Sequence, residues 1–168
     1  MHIPDKISKW IRAKNWTLHE HQIRMFKSSE CSSQLLIAPT GSGKTLAGFL
    51  PTIADLYLNP SQKLHTLYIS PLKALASDIK RNLETPIKEL ELKISVEDRT
   101  GDTKQSIKKK QRVIPPNILL TTPESLALLM SYPEAPSIFS SLKRIIVDEI
   151  HAITESKRGD QLFLAISN

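Results

Sequence analysis

Gln34-Leu-Leu-Ile-Ala-Pro-Thr-Gly-Ser-Gly-Lys-Thr45 joins an apolar run to a glycine-rich turn. The run Gln34–Ala38 has the composition of a strand buried on both faces. After the turn, Leu46, Phe49, Leu50, Ile53, Leu56 and Tyr57 recur at helical spacing, which predicts a helix over Lys44–Leu58. Strand, glycine-rich turn, Lys-Thr and helix, in that order, make the context of a phosphate-binding loop. Gly41 and Gly43 let the backbone turn tightly and approach a phosphate without a Cβ in the way. The loop's N–H groups and the helix N-terminus then point at the anion, with Thr40, Ser42 and Thr45 lining the same cradle. Lys44 supplies a charge near the β- and γ-phosphates, and the Thr45 hydroxyl supplies a ligand for Mg²⁺. Ala38 stands where the usual pattern has glycine. The rival reading is a strand–helix turn with no ligand, and Lys-Thr at this offset counts against it.

Three further apolar runs, His65–Ser70, Asn117–Thr121 and Lys143–Asp148, and a weaker one, Ile94–Asp98, read as strands. Helical patterns cover Leu72–Leu90 and Glu124–Met130, the second with Pro123 suited to its first turn. Pro51 and Pro86 predict a kink or break inside their helices. Asn59–Lys63 and Ser131–Ser137 read as turns. The alternation of strand and helix predicts an α/β fold with a mostly parallel sheet.

In such a sheet, ligands bind outside the carboxyl ends of the strands. Lys143–Asp148 ends there in two carboxylates, Asp148 and Glu149. Asp148 is placed to hold Mg²⁺, partly through its water shell, and Glu149 to polarise an attacking water. His151 reads equally as a coupling residue between nucleotide and a neighbouring segment, or as a loop histidine. Lys73, Arg99, Thr122 and the helix opening at Pro123 all follow strands and can donate to phosphate oxygens. Thr122 suits a helix cap equally well.

The composition narrows the setting. With 168 residues, the chain holds one domain or part of one. At 40% apolar and 24% charged it is neither disordered nor collagen-like. No apolar run approaches the ~18 residues of a membrane span, and no signal-peptide core is visible near the N-terminus. Cys31 is alone, so neither a disulfide framework nor a metal spacing arises, and a reducing, cytoplasmic setting is expected. The net charge is +6, and most of it sits in Arg99–Arg112, with six basic residues against one acid. That run favours a polyanionic partner, although a solvated helix face explains it as well. Aromatic content of 5% gives no evident base-stacking platform.

With these motifs in order, the chain resembles a superfamily 2 helicase core of the Lhr-type DExH-box group, nearest to the ligase-associated DExH-box helicases of bacteria. Trp16–Gln22 resembles the adenine-reading Q motif, with Gln22 as its glutamine. Ala38–Thr45 matches motif I and Ser70–Ala76 motif Ia, which brings in Pro71 beside Lys73. Arg99–Asp102 and Thr121–Ser125 match the next two nucleic-acid motifs, bringing in Gly101, Pro123 and Glu124. Asp148–His151 matches motif II, and Lys157–Gly159 a basic stretch typical of Lhr-like proteins.

The resemblance implies a RecA-like P-loop NTPase domain that binds ATP and Mg²⁺, with residues 1–30 as the Q-motif region and 34–168 running from phosphate loop to motif II. It implies a single strand as partner, DNA rather than RNA, with 3′ to 5′ polarity and a setting in DNA repair beside a DNA ligase and a nuclease. The residues themselves do not separate DNA from RNA. A family member continues past motif II to motif III and a second RecA-like domain with an arginine finger. The expectation is therefore a partial domain that binds ATP weakly and hydrolyses it hardly at all, lacking the strand expected between those of motifs I and II. Two rivals remain at this stage: a P-loop ATPase with another role, and a non-enzymatic remnant that only binds nucleic acid.

Overall fold

The computed structural model describes residues 3–28, 33–39 and 41–154. The described residues form two compact units, one drawn from the ranges 1–60 and 86–92 and the other from 61–85 and 93–154.

The first unit contains α1 (Asp5–Ala13), α2 (Glu20–Lys27) and α3 (Lys44–Leu58). Helices α1 and α2 each bury one apolar face, whereas α3 is buried all round over Phe49–Ala54. The buried apolar residues include Ile7 and Ile11 of α1, Phe26 of α2, and Phe49, Leu50, Ile53 and Ala54 of α3, which α2 packs along. The Trp10 indole N–H and the Lys14 ammonium both donate to Glu89, each at 2.6 Å. Those bonds, Lys14's first, hold the Glu89 carboxyl below the usual carboxylate range. Helix α3 has the predicted bounds, but it runs unbroken through Pro51. The missing N–H costs about 3 kcal/mol in a helix interior, and burial of Leu50, Pro51, Thr52 and Ile53 offsets it.

The expected strand Gln34–Ala38 does not form. Residues 33–39 carry no ladder, and Leu35 and Ile37 are 72% and 86% exposed. An extended segment becomes a strand only where a neighbour takes up its N–H and C=O groups. Among the described residues, no strand pairs with this one.

The second unit contains β1 (Thr66–Ile69), α4 (Lys73–Glu89) up to Thr85, its last turn belonging to the first unit, β2 (Val96–Arg99), α5 (Gln105–Val113), β3 (Ile118–Thr121), α6 (Pro123–Met130), α7 (Ala135–Phe139), β4 (Arg144–Val147) and α8 (Ile150–Thr154). Helix α4 also passes unbroken through its proline, Pro86. The turn expected over 131–137 instead leads into α7, with Pro136 in its first turn, where a missing N–H costs nothing. The strands lie in the order β2-β3-β1-β4, and every pair is parallel. Central β1 and β3 are buried along their whole length. On one face of the sheet, Leu67, Ile69 and Leu119 meet Leu126 and Leu129 of α6 and Ile138 of α7. The register pairs Ile69 with Thr121 and Val147, and Arg99 with Thr121. The residues that follow each strand, Ser70, Thr100, Thr122 and Asp148, therefore share one edge.

Candidate functional site

In the first unit the phosphate loop is organised by two glycines. Gly41 and Gly43 have φ of +79° and +77°, the left-handed region that a Cβ disfavours. Gly43 is the N-cap of α3, and a Cβ there would collide with the Gln22 amide. At Gly41 the space a Cβ would take is open. Gln22 is 3% exposed. Its Oε1 accepts from the His19 N–H at 2.8 Å, and its Nε2 donates to the Gly43 carbonyl at 3.0 Å. Both ends of the amide that the resemblance assigns to adenine are thus engaged by the protein, one capping α2 and the other holding the loop.

Three features of the loop suit a chain of phosphates. The first N–H groups of α3 have no intrahelical acceptor. The Ser42 hydroxyl is buried without a hydrogen-bond partner among the described residues. Lys44 Nζ rests on the Ala38 carbonyl at 2.8 Å, a neutral acceptor that an anion readily replaces. The Thr45 hydroxyl stands half-buried in the same turn. Thr40, Cys31 and the basic stretch Lys157–Gly159 lie outside the described residues.

In the second unit, Asp148 follows β4 at the sheet edge. Its N–H donates to the Ile69 carbonyl at 2.9 Å, and its Oδ1 accepts from the Glu149 N–H at 2.9 Å. Its Oδ2 accepts from the Tyr68 phenol at 2.6 Å. Tyr68 is buried, and burial first, then the Asp148 carboxylate, raises its pKa well above the ordinary phenol value. Sequence reading missed Tyr68. The available signal was its position in β1, on the opposite face from Leu67 and Ile69. Glu149 has φ of +48°, a strained value for a residue with a Cβ, of the kind that clusters at functional sites. Its Oε2 lies 3.4 Å from His151 Nε2, so the structure brings the expected base and the expected coupling residue together.

The expected phosphate donors of the second unit fall into two groups. Lys73 is exposed, and its Nζ sits 2.9 Å from Asp102 Oδ1. It opens a cavity of about 310 Å³ lined by Lys73, Ala74, Ser77, Asp98, Thr100, Asp102 and Thr103. Asp98 is paired to Lys80 at 3.0 Å. Gly101 is exposed beside Lys73 Nζ, and Pro71 is partly exposed. Arg99 is a correction. It is 1% exposed, and its Nη1 donates to the Lys108 carbonyl at 2.9 Å and to Gln111 Oε1 at 3.3 Å. Gln111 Nε2 in turn donates to Glu97 Oε2 at 2.9 Å. Burial lowers the Arg99 pKa. This guanidinium fastens α5 to β2 and is not offered to a ligand, because its strand position points it into the protein. Thr122 is buried and accepts from the Ser125 N–H at 3.4 Å as the N-cap of α6, with Pro123 buried in the first turn and Glu124 exposed beside it. Within the basic run, Lys108 donates to the Gly101 carbonyl, Lys110 pairs with Glu97, and Arg112 lies 4.2 Å over the Tyr132 ring. Lys104 and Lys109 are exposed.

Known proteins resemble this chain in sequence and in fold. Residues 19–168 match the family described as DEAD/DEAH box helicase. The ATP-dependent helicase Lhr-Core protein 2 of Thermococcus barophilus is 38% identical over 98% of this chain and 21% of its own length. The ATP-dependent helicase Lhr-Core of Methanocaldococcus jannaschii is 41% identical over 95% of this chain, again 21% of its own length. Among solved structures, the Mycobacterium smegmatis helicase Lhr bound to ssDNA and AMP-PNP superposes with a TM-score of 0.89 at 37% identity, covering 97% of this chain and 22% of that one. The chain spans about a fifth of the length of each relative. A glycine-bent loop capping α3, an acidic strand end and a match across residues 19–168 converge: the chain belongs to the DEAD/DEAH box helicase family, and the relatives it resembles are of the Lhr type.

Proposed function

We propose that this chain supplies the first RecA-like domain of an ATP-dependent helicase or translocase, which binds Mg–ATP and one nucleic-acid strand. The observation that carries the reading is the phosphate loop: two left-handed glycines, a buried Ser42 hydroxyl with no partner among the described residues, and Lys44 at the start of a 15-residue helix. Lys44 would leave the Ala38 carbonyl for the β- and γ-phosphates, while the N–H groups of Gly41 to Thr45 take the remaining oxygens. Thr45 and Asp148 are each hard oxygen donors of the kind Mg²⁺ requires, and each is a candidate ligand for it. When bound, the metal supplies neutralisation of the phosphate charge. Glu149 accepts the proton of the attacking water, with His151 beside its carboxylate. Gln22 sets the loop, and reading adenine is the role the resemblance assigns to it; its amide would have to release His19 or Gly43 to do so.

Strand binding falls to the edge formed by Pro71, Lys73, Gly101 and the α6 N-terminus at Thr122, Pro123 and Glu124, where contacts fix the backbone without reading bases. DNA, a 3′ to 5′ direction, a cytoplasmic repair setting and a second core domain completing hydrolysis belong to the same reading. Support for DNA comes from the likeness to an Lhr structure holding ssDNA and AMP-PNP. A DNA ligase and a nuclease are the partner enzymes to test. The check is anisotropy of a labelled single-stranded oligonucleotide against salt. Affinity is expected to fall linearly on logarithmic axes, by roughly 0.7 per phosphate neutralised. Binding that ignores salt, or no binding with the nucleotide site intact, favours an ATPase of another kind.

A further inference from the structure

Strand alternation turns Tyr68 away from Leu67 and Ile69, which face the apolar cluster. In register, it lies between Leu120 of β3 and Ile146 of β4. Two residues beyond Ile146, on the same face, comes Asp148. The phenol of Tyr68, 2% exposed, reaches Asp148 Oδ2 at 2.6 Å, and the Glu149 N–H reaches Oδ1 at 2.9 Å. Each carboxylate oxygen therefore holds one fixed donor and keeps lone-pair capacity for a cation or its water shell. Without Tyr68 the carboxylate could rotate at the end of its strand. With it, the carboxylate plane is set by donors from β1 and from its own backbone. A phenol–carboxylate bond of this length is charge-assisted and stronger than a neutral one.

We propose that Tyr68 is a positioning residue for the metal-holding carboxylate, setting the orientation in which Asp148 receives magnesium. This rests on the Mg–ATP reading above. Partners of this kind typically contribute 10- to 100-fold to metal affinity. The test titrates the protein with a fluorescent ATP analogue, once with Mg²⁺ and once with EDTA, and takes the ratio of affinities as the magnesium gain. Tyr68→Phe is expected to cut that gain roughly tenfold while leaving the EDTA affinity unchanged. In an Asp148→Asn background it is expected to change nothing further. A gain preserved in Tyr68→Phe overturns the proposal, as does an equal loss in both titrations, which marks a merely structural role. A wild-type protein with no gain at all contradicts the Mg–ATP reading itself. Where Tyr68→Phe does not fold, the Tyr68 ring-carbon NMR signal of the unsubstituted chain serves instead. It is expected to shift when Mg²⁺ is added to the nucleotide complex, and a signal that stays fixed overturns the proposal.

Discussion

Gly43 answers two demands at one position, a left-handed backbone and room for the Gln22 amide. Gly43→Ala meets both penalties, and the left-handed backbone alone costs roughly 1–2 kcal/mol. Chemical denaturation is expected to show a loss of at least about that size. Lys44→Ala removes a charged donor from a phosphate site and leaves Ala38 with one fewer partner. A charge-assisted contact of this kind contributes roughly 1.5–3 kcal/mol, so nucleotide affinity is expected to fall about 10- to 100-fold with the melting midpoint of the free protein little changed. Arg99 behaves in the opposite sense. Removing it takes a donor from the buried Gln111 Oε1 and leaves a space where a fully buried side chain stood, so Arg99→Ala is expected to cost about 2–4 kcal/mol of stability. An Arg99→Ala variant as stable as its parent would show that the guanidinium is not part of the fold. The sequence showed a cation after a strand and a basic run beyond it. It did not show that the side chain at that alternation points inward.

At the scale of elements, α6 and the loop after β2 set the strand-binding edge. Thr122→Ala removes the α6 cap and is expected to cost about 0.5–2 kcal/mol in unfolding experiments, whatever Thr122 does for a ligand. Lys73 and Asp102 form an exposed ion pair, and such pairs contribute at most about 1 kcal/mol. Asp102 then competes with a phosphate for Lys73. Asp102→Asn is expected to tighten oligonucleotide binding by no more than about fivefold, whereas Lys73→Ala is expected to reduce the salt slope by about 0.7, the share of one phosphate contact. Tighter binding in Lys73→Ala would remove that lysine from the edge. Helix α3 was readable to the residue because six apolar positions repeat at its period. The run Gln34–Ala38 reads just as clearly as a strand yet forms none, since strand formation depends on a neighbour that a local pattern cannot show. Proline was misleading for the same reason: the packing around Pro51 outweighs the hydrogen bond it removes.

For the molecule as a whole, sequence order carried most of the reading. Four of the five expected strands appear within a residue or two of their predicted ends, and the parallel register gathers Ser70, Thr100, Thr122 and Asp148 on one edge. Contacts across long stretches of sequence were invisible in it, and they include the Tyr68–Asp148 bond and the Gln22–Gly43 latch, 80 and 21 residues apart. The central claim is that a triphosphate occupies the loop around Lys44. A ligand that binds only the folded chain stabilises it by about 2.7 kcal/mol at a hundred times its dissociation constant. Thermal unfolding against increasing Mg–AMP-PNP tests this most directly. A midpoint that climbs steadily in the wild-type chain and stays flat in Lys44→Ala is the predicted result. A midpoint that ignores the nucleotide, or climbs equally in both, would contradict it.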